Sequence, residues 1–437
     1  MRQALSGLTT RGRSFLAAGV ALIACAAVLG ERDLLRVGVF LVALPVVAVL
    51  VVMRTRYRVA CTRVLDPGRV PAGLAARVVL RLENLSRLPT GVLMVEDTLP
   101  YVLGGRPRFV LDRVEPQGMR EVTYSVRSDL RGRYEIGPLA IRLADPFGFC
   151  ELSRSFRSVD HLIVTPLVTD IPSVRLGGDY AGGGESRLRA VAVAGEDDVA
   201  TREYRLGDDL RRVHWRSTAH AGELMVRREE QPWLSRATLF LDTRSTAHRG
   251  DGLASSFEWA VSAAASIGVH LSRKRFAVQF RTDTGDELHG FGGVSDVGGG
   301  EFEGQLLDSL ATVGLSRATS LSTASSYLRQ AREGVVVALL GALTPDDAER
   351  LARVHLGHGA GIALLLDTTR WTVLGTTARE QANAAYAANV RLLAHAGWRV
   401  LPVAPRTTLP QIWPLAAADP VMSAARAEVL TNTGATP

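Results

Sequence analysis

The chain has 437 residues, of which 47% are hydrophobic, so it is long enough for a membrane element and at least two folded units. The formal net charge is +7, from 51 Lys and Arg against 44 Asp and Glu. The basic residues are nearly all arginines scattered along the chain, whereas nucleic-acid binders concentrate them in a patch with aromatic residues. This composition argues against a nucleic-acid-binding protein.

Two uncharged runs stand near the start of the chain, at residues 15–30 and 37–53. Each is slightly shorter than the roughly 20 residues that span a bilayer, and flanking arginines extend their reach. We therefore predict a transmembrane helical hairpin over residues 1–56. Arginines precede the first run and follow the second, so the positive-inside rule places both ends in the cytoplasm. The predicted location is the inner membrane, with two spans and a cytoplasmic soluble part.

An alternative for the first run is a lipoprotein signal, because Leu22-Ile23-Ala24-Cys25 resembles a lipobox behind basic residues. Cleavage before Cys25 would leave the soluble part outside the cell, but a second apolar run so close behind argues against it. The other two cysteines, Cys61 and Cys150, form no close-spaced pair with any other. Reduced, buried thiols are the simpler interpretation, and a Cys61–Cys150 disulfide would need an oxidising compartment.

The next segment, residues 57–166, alternates apolar and polar residues in short stretches divided by Pro, Gly and Asn. This pattern predicts an all-β immunoglobulin-like sandwich. Residues 167–235 follow as a linker. Its glycine cluster at 182–184 precedes Glu185 rather than the Lys-Ser or Lys-Thr of a phosphate-binding loop, and the only lysine of the chain is Lys274.

Residues 236–415 change to continuous apolar strands alternating with amphipathic helices. Strands are predicted at 238–243, 276–282, 334–341, 361–368 and 398–403. Helices are predicted at 257–274, from Phe302, near 323–332 and at 344–355. This alternation is typical of an α/β unit with a mostly parallel, doubly wound sheet. Residues 416–437 are predicted to be a tail.

A long motif lies at the end of the linker, over residues 202–227, and we call it the signature motif. It consists of Arg202, Tyr204, Gly207, Asp208, Arg211, Val213, Trp215, Thr218 and Ala219, followed by Leu224, Val226 and Arg227. Its spacing resembles the signature of the bacterial domain of unknown function 58 family. That family often has Arg after the Ala, where this chain has His220, so a role that needs a fixed charge there is in doubt.

The resemblance extends along the whole chain in order, because the stretches at 131–134 (Arg-Gly-Arg-Tyr) and 145–148 (Asp-Pro-Phe-Gly) also match. It implies a membrane-anchored protein with a von Willebrand factor type A-like domain at residues 236–415. It also implies partners, since family members are typically found with MoxR-type AAA+ ATPases and often with transglutaminase-like membrane proteins.

The signature motif has seven arginines and six acidic residues between Arg202 and Glu230, so its charges nearly cancel. Asp208 could pair with Arg202 or Arg211, and Trp215 could stack on a guanidinium. Two interpretations stay open. The motif is either a buried latch between the two soluble units or a contact surface for a partner.

Type A domains that bind Mg²⁺ use Asp-x-Ser-x-Ser after their first strand, and the corresponding stretch here is residues 242–246. Asp242 and Thr246 fit that pattern, but Arg244 brings a positive charge where a dication would sit. We therefore expect no metal and no cofactor.

No convincing nucleophile accompanies the histidines, and none of them forms a zinc-type pair on one helix face. The hypothesis is a non-enzymatic, membrane-anchored adaptor that binds a MoxR-type AAA+ ATPase and a client or envelope partner. The alternative is a hydrolase that uses Asp208, His214 and His220.

Overall fold

The computed structural model describes residues 8–54, 59–87, 89–144, 147–176, 201–204, 213, 215–227, 236–285, 287–290, 298–330, 334–354 and 360–418. The chain divides into two compact units, Met1–Pro166 and Leu167–Pro437. We call them the N-terminal unit and the α/β unit.

The N-terminal unit begins with two helices, α1 (Thr10–Leu29) and α2 (Arg32–Arg54). At 1.5 Å per residue they are about 30 and 35 Å long, which matches the hydrocarbon thickness of a bilayer. Both are long and apolar enough to cross a membrane. The two predicted apolar helices are therefore present.

The rest of this unit is β-rich. Its strands are β1 (Val59–Asp66), β2 (Arg69–Pro71), β3 (Ala75–Asn84), β4 (Leu93–Asp97), β5 (Arg108–Leu111), β6 (Met119–Arg127), β7 (Gly132–Ile136), β8 (Leu139–Ala144), β9 (Glu151–Phe156) and β10 (Asp160–Thr165). They form three sheets with the orders β1-β3-β6, β2-β10-β7 and β5-β4-β8-β9.

One core joins these sheets, and the alternating sequence places it. In β3 every second residue is buried, among them Val78, Leu80 and Leu82, while the residues between them are more exposed. Leu93, Ile136 and Leu162 contribute from other strands to the same cluster. The prediction that residues 57–166 are rich in β-strands is therefore confirmed.

The α/β unit is built on one six-stranded sheet. Its strands are β13 (Arg236–Leu241), β14 (Ala277–Thr282), β15 (Glu287–Gly290), β16 (Val335–Leu340), β17 (Gly361–Leu366) and β18 (Trp398–Val403). The order is β15-β14-β13-β16-β17-β18, and every pair is parallel except β14 with β15. The predicted parallel sheet is confirmed, with an antiparallel strand at one edge.

Helices cover both faces of this sheet, as its fully buried strands β16 and β17 require. They are α4 (Ser256–Arg273), α5 (Gly298–Thr312), α6 (Ser322–Gln330), α7 (Pro345–Ala352), α8 (Thr376–His395) and α9 (Leu409–Ile412). Two separate core clusters lie against the two faces, one including Leu239 and Ile267 and the other including Val336 and Trp398.

The α/β unit also contains the described part of the signature motif. Strands β11 (Thr201–Glu203) and β12 (Met225–Arg227) pair antiparallel, and helix α3 (Trp215–Ala221) lies between them in sequence. The start of the predicted linker packs as well, because Ile171 and Leu176 are buried in the same cluster as Leu239.

Candidate functional site

The candidate site lies at the carboxyl edge of the parallel sheet. Strands β13 and β16 are neighbours, and the loops that follow them begin at Asp242 and Gly341. The strand order reverses between these two strands, and open α/β sheets bind their ligands at such a point. The loops meet closely: the amide of Ala342 donates to the carbonyl of Ala247 at 2.7 Å, and a side chain at Gly341 would collide with that carbonyl.

Arg244 fills the centre of this edge. Its side chain is 1% exposed, and its Nε and Nη2 each donate to one carboxylate oxygen of Asp242 at 2.9 Å. Its Nη1 donates to Asp347 Oδ2 at 2.6 Å. A single guanidinium therefore bridges two buried carboxylates, in the bidentate geometry that makes charge-assisted hydrogen bonds strong.

Asp347 is held by the start of α7 as well as by Arg244. Thr344 caps that helix, accepting from the Asp347 amide and donating to its carboxylate at 2.9 Å. The amide of Leu321 donates to the other carboxylate oxygen at 2.9 Å. Asp347 was not among the residues predicted for this site, since it meets Arg244 only through the pairing of β13 with β16. The signal for it was the helix start at 344–347, which puts a carboxylate in the first turn.

Arg244 is the cation that both carboxylates of this cluster share. Burial alone would lower the pKa of the guanidinium, but the hydrogen bonds and charges of Asp242 and Asp347 outweigh burial and raise that pKa. The two carboxylates are thus already paired with a permanent cation. Among the described residues no group of three or more His, Cys, Asp or Glu side chains is placed to hold a metal ion.

Thr246, the other residue that fitted the metal pattern, lies outside this cluster. It is exposed on the loop after β13, and its carbonyl accepts a hydrogen bond from Arg249 at 2.8 Å.

His248 links the loop after β13 to the start of α4. Its Nε2 donates to the carbonyl of Asp242 at 2.7 Å, and its Nδ1 lies 3.1 Å from the Ser256 hydroxyl at the start of α4. Because the carbonyl can only accept, Nε2 carries the proton and Nδ1 accepts. Burial is the main cause that lowers the pKa of His248, so the ring is neutral at pH 7.

Beside this cluster lies a cleft of about 510 Å³, lined mostly by hydroxyl-bearing side chains: Thr243, Thr282, Thr284, Ser309, Thr312 and Ser316. Asp283 forms hydrogen bonds to two of these residues. It accepts from the Thr243 amide, the Thr243 hydroxyl and the Ser316 hydroxyl, each at 2.6 Å. Asp283 therefore holds Thr243 and Ser316 of the cleft lining together. It was not among the residues predicted from the sequence.

The described residues of the signature motif form a small strand–helix–strand element. Val213 forms a bridge with Val226, and both are buried. The Thr218 hydroxyl accepts from the Met225 amide at 3.0 Å, and the Tyr204 amide donates to the carbonyl of Leu224 at 2.8 Å. Thr218 thus ties α3 to β12, which is a structural role for that motif position.

Trp215 is the large apolar side chain that α3 leaves exposed. It opens α3, and its side chain is 71% exposed. Arg202 and Arg227 lie on the paired strands, whereas Gly207, Asp208 and Arg211 lie outside the described residues.

Of the residues in the hydrolase alternative, Asp208 and His214 also lie outside the described residues, and His220 is exposed on α3. The described residues therefore do not test this alternative.

Comparison with solved structures gives likenesses of low sequence identity. The CARDB domain of the PF1109 protein from Pyrococcus furiosus is 13% identical, with 26% of this chain and 90% of that chain covered and a TM-score of 0.19. A human seminal plasma complex of zinc 2-glycoprotein and prolactin inducible protein gives 11% identity, 25% and 97% coverage and a TM-score of 0.20. The putative ApaA protein from Bordetella pertussis gives 12% identity, 24% and 91% coverage and a TM-score of 0.19. Scores this low carry no argument about fold or function.

A search of curated proteins finds no match to the chain. A family model does match: residues 200–370 fit the one described as "Protein of unknown function DUF58". That segment contains the signature motif, the Asp242–Arg244–Asp347 cluster and strands β13 to β17. This match supports the DUF58 assignment for residues 200–370, and the resemblance that the signature motif predicted is confirmed there.

Proposed function

We propose that this protein is a membrane-anchored, non-enzymatic adaptor that binds an AAA+ ATPase of the MoxR type. The hairpin α1–α2 fixes it in the inner membrane, with both soluble parts in the cytoplasm. The α/β unit, a von Willebrand factor type A-like domain, carries the docking surface for the ATPase. The β-rich part, an immunoglobulin-like sandwich, recognises a client or envelope partner.

The observation that carries the proposal is the exposure of Trp215. A tryptophan at 71% exposure leaves a large apolar surface in water, and tryptophan is among the residues most enriched at binding hot spots. Leu224, 40% exposed, belongs to the same strand–helix–strand element. Trp215 also belongs to the signature motif, which lies inside the matched segment 200–370. We therefore take the motif as a contact surface whose fold is held by Val213, Thr218 and Val226.

The Arg244 cluster supports the non-enzymatic part. At the carboxyl edge of the sheet, where a metal-dependent type A domain would place a dication, a guanidinium holds both carboxylates. A scaffold that keeps this geometry with a permanent internal cation is suited to present loops rather than to bind an ion. The order β15-β14-β13-β16-β17-β18 with one antiparallel edge strand supports the type A-like assignment.

The class of partner rests on the family resemblance, so the experiment has to identify it. Tagged full-length protein is solubilised in detergent from its native host, captured, and its co-purifying proteins are identified by mass spectrometry. Wild type is compared with Trp215→Ala and with Tyr101→Ala. Tyr101 is a matched control, because it is 97% exposed and lies in the other unit.

We expect wild type and Tyr101→Ala to recover an AAA+ ATPase and Trp215→Ala to lose most of it. Hot-spot truncation costs about 2 kcal/mol or more, which corresponds to roughly 30-fold weaker binding. Equal recovery by all three variants would remove Trp215 from the docking surface. Intact, membrane-bound wild type that recovers no ATPase would overturn the adaptor proposal.

A further inference from the structure

A loop of the β-rich part is fastened to the first turn of helix α1. The Thr9 amide donates to the carbonyl of Phe149 at 3.0 Å, and the Thr9 hydroxyl donates to the carbonyl of Gly148 at 2.6 Å. One residue earlier, Leu8 forms an antiparallel bridge with Cys150. Thr9 also caps α1, because its hydroxyl accepts from the Gly12 amide. The same residue therefore starts the helix and holds the loop.

The sequence of α1 leaves room for this contact. Gly12 is buried, and a side chain at this position would collide with the carbonyl of Phe149. Glycine is a poor helix former, so its place in the first turn of α1 needs a reason. Its presence here is explained by the close approach of the loop to the helix.

Three phenylalanines extend this contact outward. Phe15 of α1 lies 4.9 Å from Phe149 between ring centroids, and Phe149 lies 6.0 Å from Phe147 in a stacked arrangement. Phe147 is the most exposed of the three, at 63%. A large apolar side chain is thus presented to the surroundings in an aromatic row that begins on α1.

The position of this row along α1 identifies what surrounds it. Phe15 is the first residue of the uncharged run, five residues after the start of α1, which is about 7.5 Å along the axis. Arg11 and Arg13, both exposed, precede it on the helix, and the Arg11 guanidinium lies beside Gly148. Exposed arginines followed by aromatic residues are the pattern of the membrane–water interface.

We infer that residues 147–149 form an interfacial wedge, with Phe147 inserted at the headgroup–acyl boundary of the bilayer that α1 crosses. The occupant of this surface is lipid, because the loop is bonded to the turn of α1 where the apolar run begins. Wherever α1 enters a membrane, the loop lies at that membrane's surface. The inference rests on the membrane anchoring in the proposed function and adds a second contact, made by the β-rich part.

The test places an indole at the predicted depth. Full-length protein with Phe147→Trp is reconstituted into phosphatidylcholine–phosphatidylglycerol vesicles, with brominated phosphatidylcholine as quencher. The control is Tyr101→Trp. Strand β4 is antiparallel to β8, so Tyr101, which follows β4, lies at the opposite end of that sheet from Phe147, which follows β8. The emission of the native tryptophans is subtracted with wild type in the same vesicles.

We expect the added emission of Phe147→Trp to be blue-shifted and quenched several-fold more than that of Tyr101→Trp. Equal, weak quenching at both positions would overturn the wedge. Flotation of the vesicles separates this result from the proposed function. Protein that floats but shows no quenching at position 147 contradicts the wedge alone, and protein that does not float contradicts both the wedge and the membrane anchor.

Discussion

At the scale of single residues, each unit contains a buried arginine that bridges two carboxylates. Arg63 in the β-rich part donates twice to Asp97, at 3.1 and 2.8 Å, and once to Asp160 at 2.7 Å. Its side chain is 2% exposed, and Tyr124 donates to the same Asp97 at 2.6 Å. Arg244 does the same between Asp242 and Asp347. A buried ion pair contributes little net stability, but removing one partner leaves an uncompensated buried charge.

Arg244→Leu removes the cation that Asp242 and Asp347 share. The substitution leaves Asp242 and Asp347 buried without their cation, so we expect the free energy of unfolding of the α/β unit to fall by about 3–5 kcal/mol. Hydrogen exchange of the full-length protein, read over β13, β16 and α7, measures this loss.

The matched control is Arg353→Leu, which removes an exposed arginine paired with Glu349 in the last turn of α7. Exposed pairs of this kind contribute about 0.3–0.5 kcal/mol, so the control should hardly change the free energy of unfolding. Arg244→Ser is a second probe: if Arg244 replaces a dication, Mg²⁺ should raise the protection of this variant and leave that of wild type unchanged. An Arg244→Leu cost as small as that of the control would show that the bridge is unimportant.

At the scale of elements, long apolar strands were predictable and weakly patterned elements were not. Strands β13, β16, β17 and β18 are fully or nearly fully buried, so their continuous apolar runs identified them. Helix α8 was not predicted, although it has 20 residues, because its apolar residues are mostly alanines and only Asn389, Val390 and Leu393 are buried. The short edge strand β15 was missed for the same lack of pattern. Helix α5 starts at Gly298, four residues before the predicted Phe302, in a glycine-rich stretch with low helix propensity.

His248 joins two of these elements and makes their stability depend on pH. It bonds the end of β13, through the Asp242 carbonyl, to the first residue of α4. Burial lowers its pKa in the folded state, while the unfolded chain has the ordinary value of about 6.5. The unfolded state therefore binds the proton more readily, and stability that is full above about pH 6.5 is lost as the pH falls below it.

We expect His248→Gln to flatten the pH dependence of unfolding between about pH 7.5 and 5.5, since glutamine keeps the donor to Asp242 but does not titrate. Urea unfolding of the α/β unit within the full-length protein, followed by hydrogen exchange at each pH, measures the slope. His395→Gln is the control, because it removes an exposed histidine at the end of α8 in the same unit. Unchanged slopes in His248→Gln would assign the pH dependence to other groups.

At the scale of the whole molecule, only part of the candidate site could be predicted from the sequence. Asp242 and Arg244 lie in one pentapeptide after a strong strand, so their meeting could be inferred from local spacing. Asp283 follows β14 and Asp347 lies in the first turn of α7, 40 and 103 residues along the chain from their partners Thr243 and Arg244. They reach the site only through the parallel pairing of β13 with β14 and β16. The exposure of Trp215 depends on the tertiary packing of residues that surround it, which a motif does not specify.

Among the described residues, the cores of the two units share no residue, so each unit can lose stability without the other. Arg63 and its partners belong to the N-terminal unit, and the cluster around Leu80 and Ile136 lies in that unit alone. We therefore expect Arg63→Leu to lower the stability of residues 59–165 by about 3–5 kcal/mol and to leave the exchange protection of the β13–β18 sheet unchanged. Arg81→Leu, which removes an exposed pair with Glu121 on β3 and β6, is the control with little expected effect. If Arg63→Leu also reduced protection in the sheet, the two units would unfold as one, and damage to the β-rich part would be expected to reach the Trp215 surface.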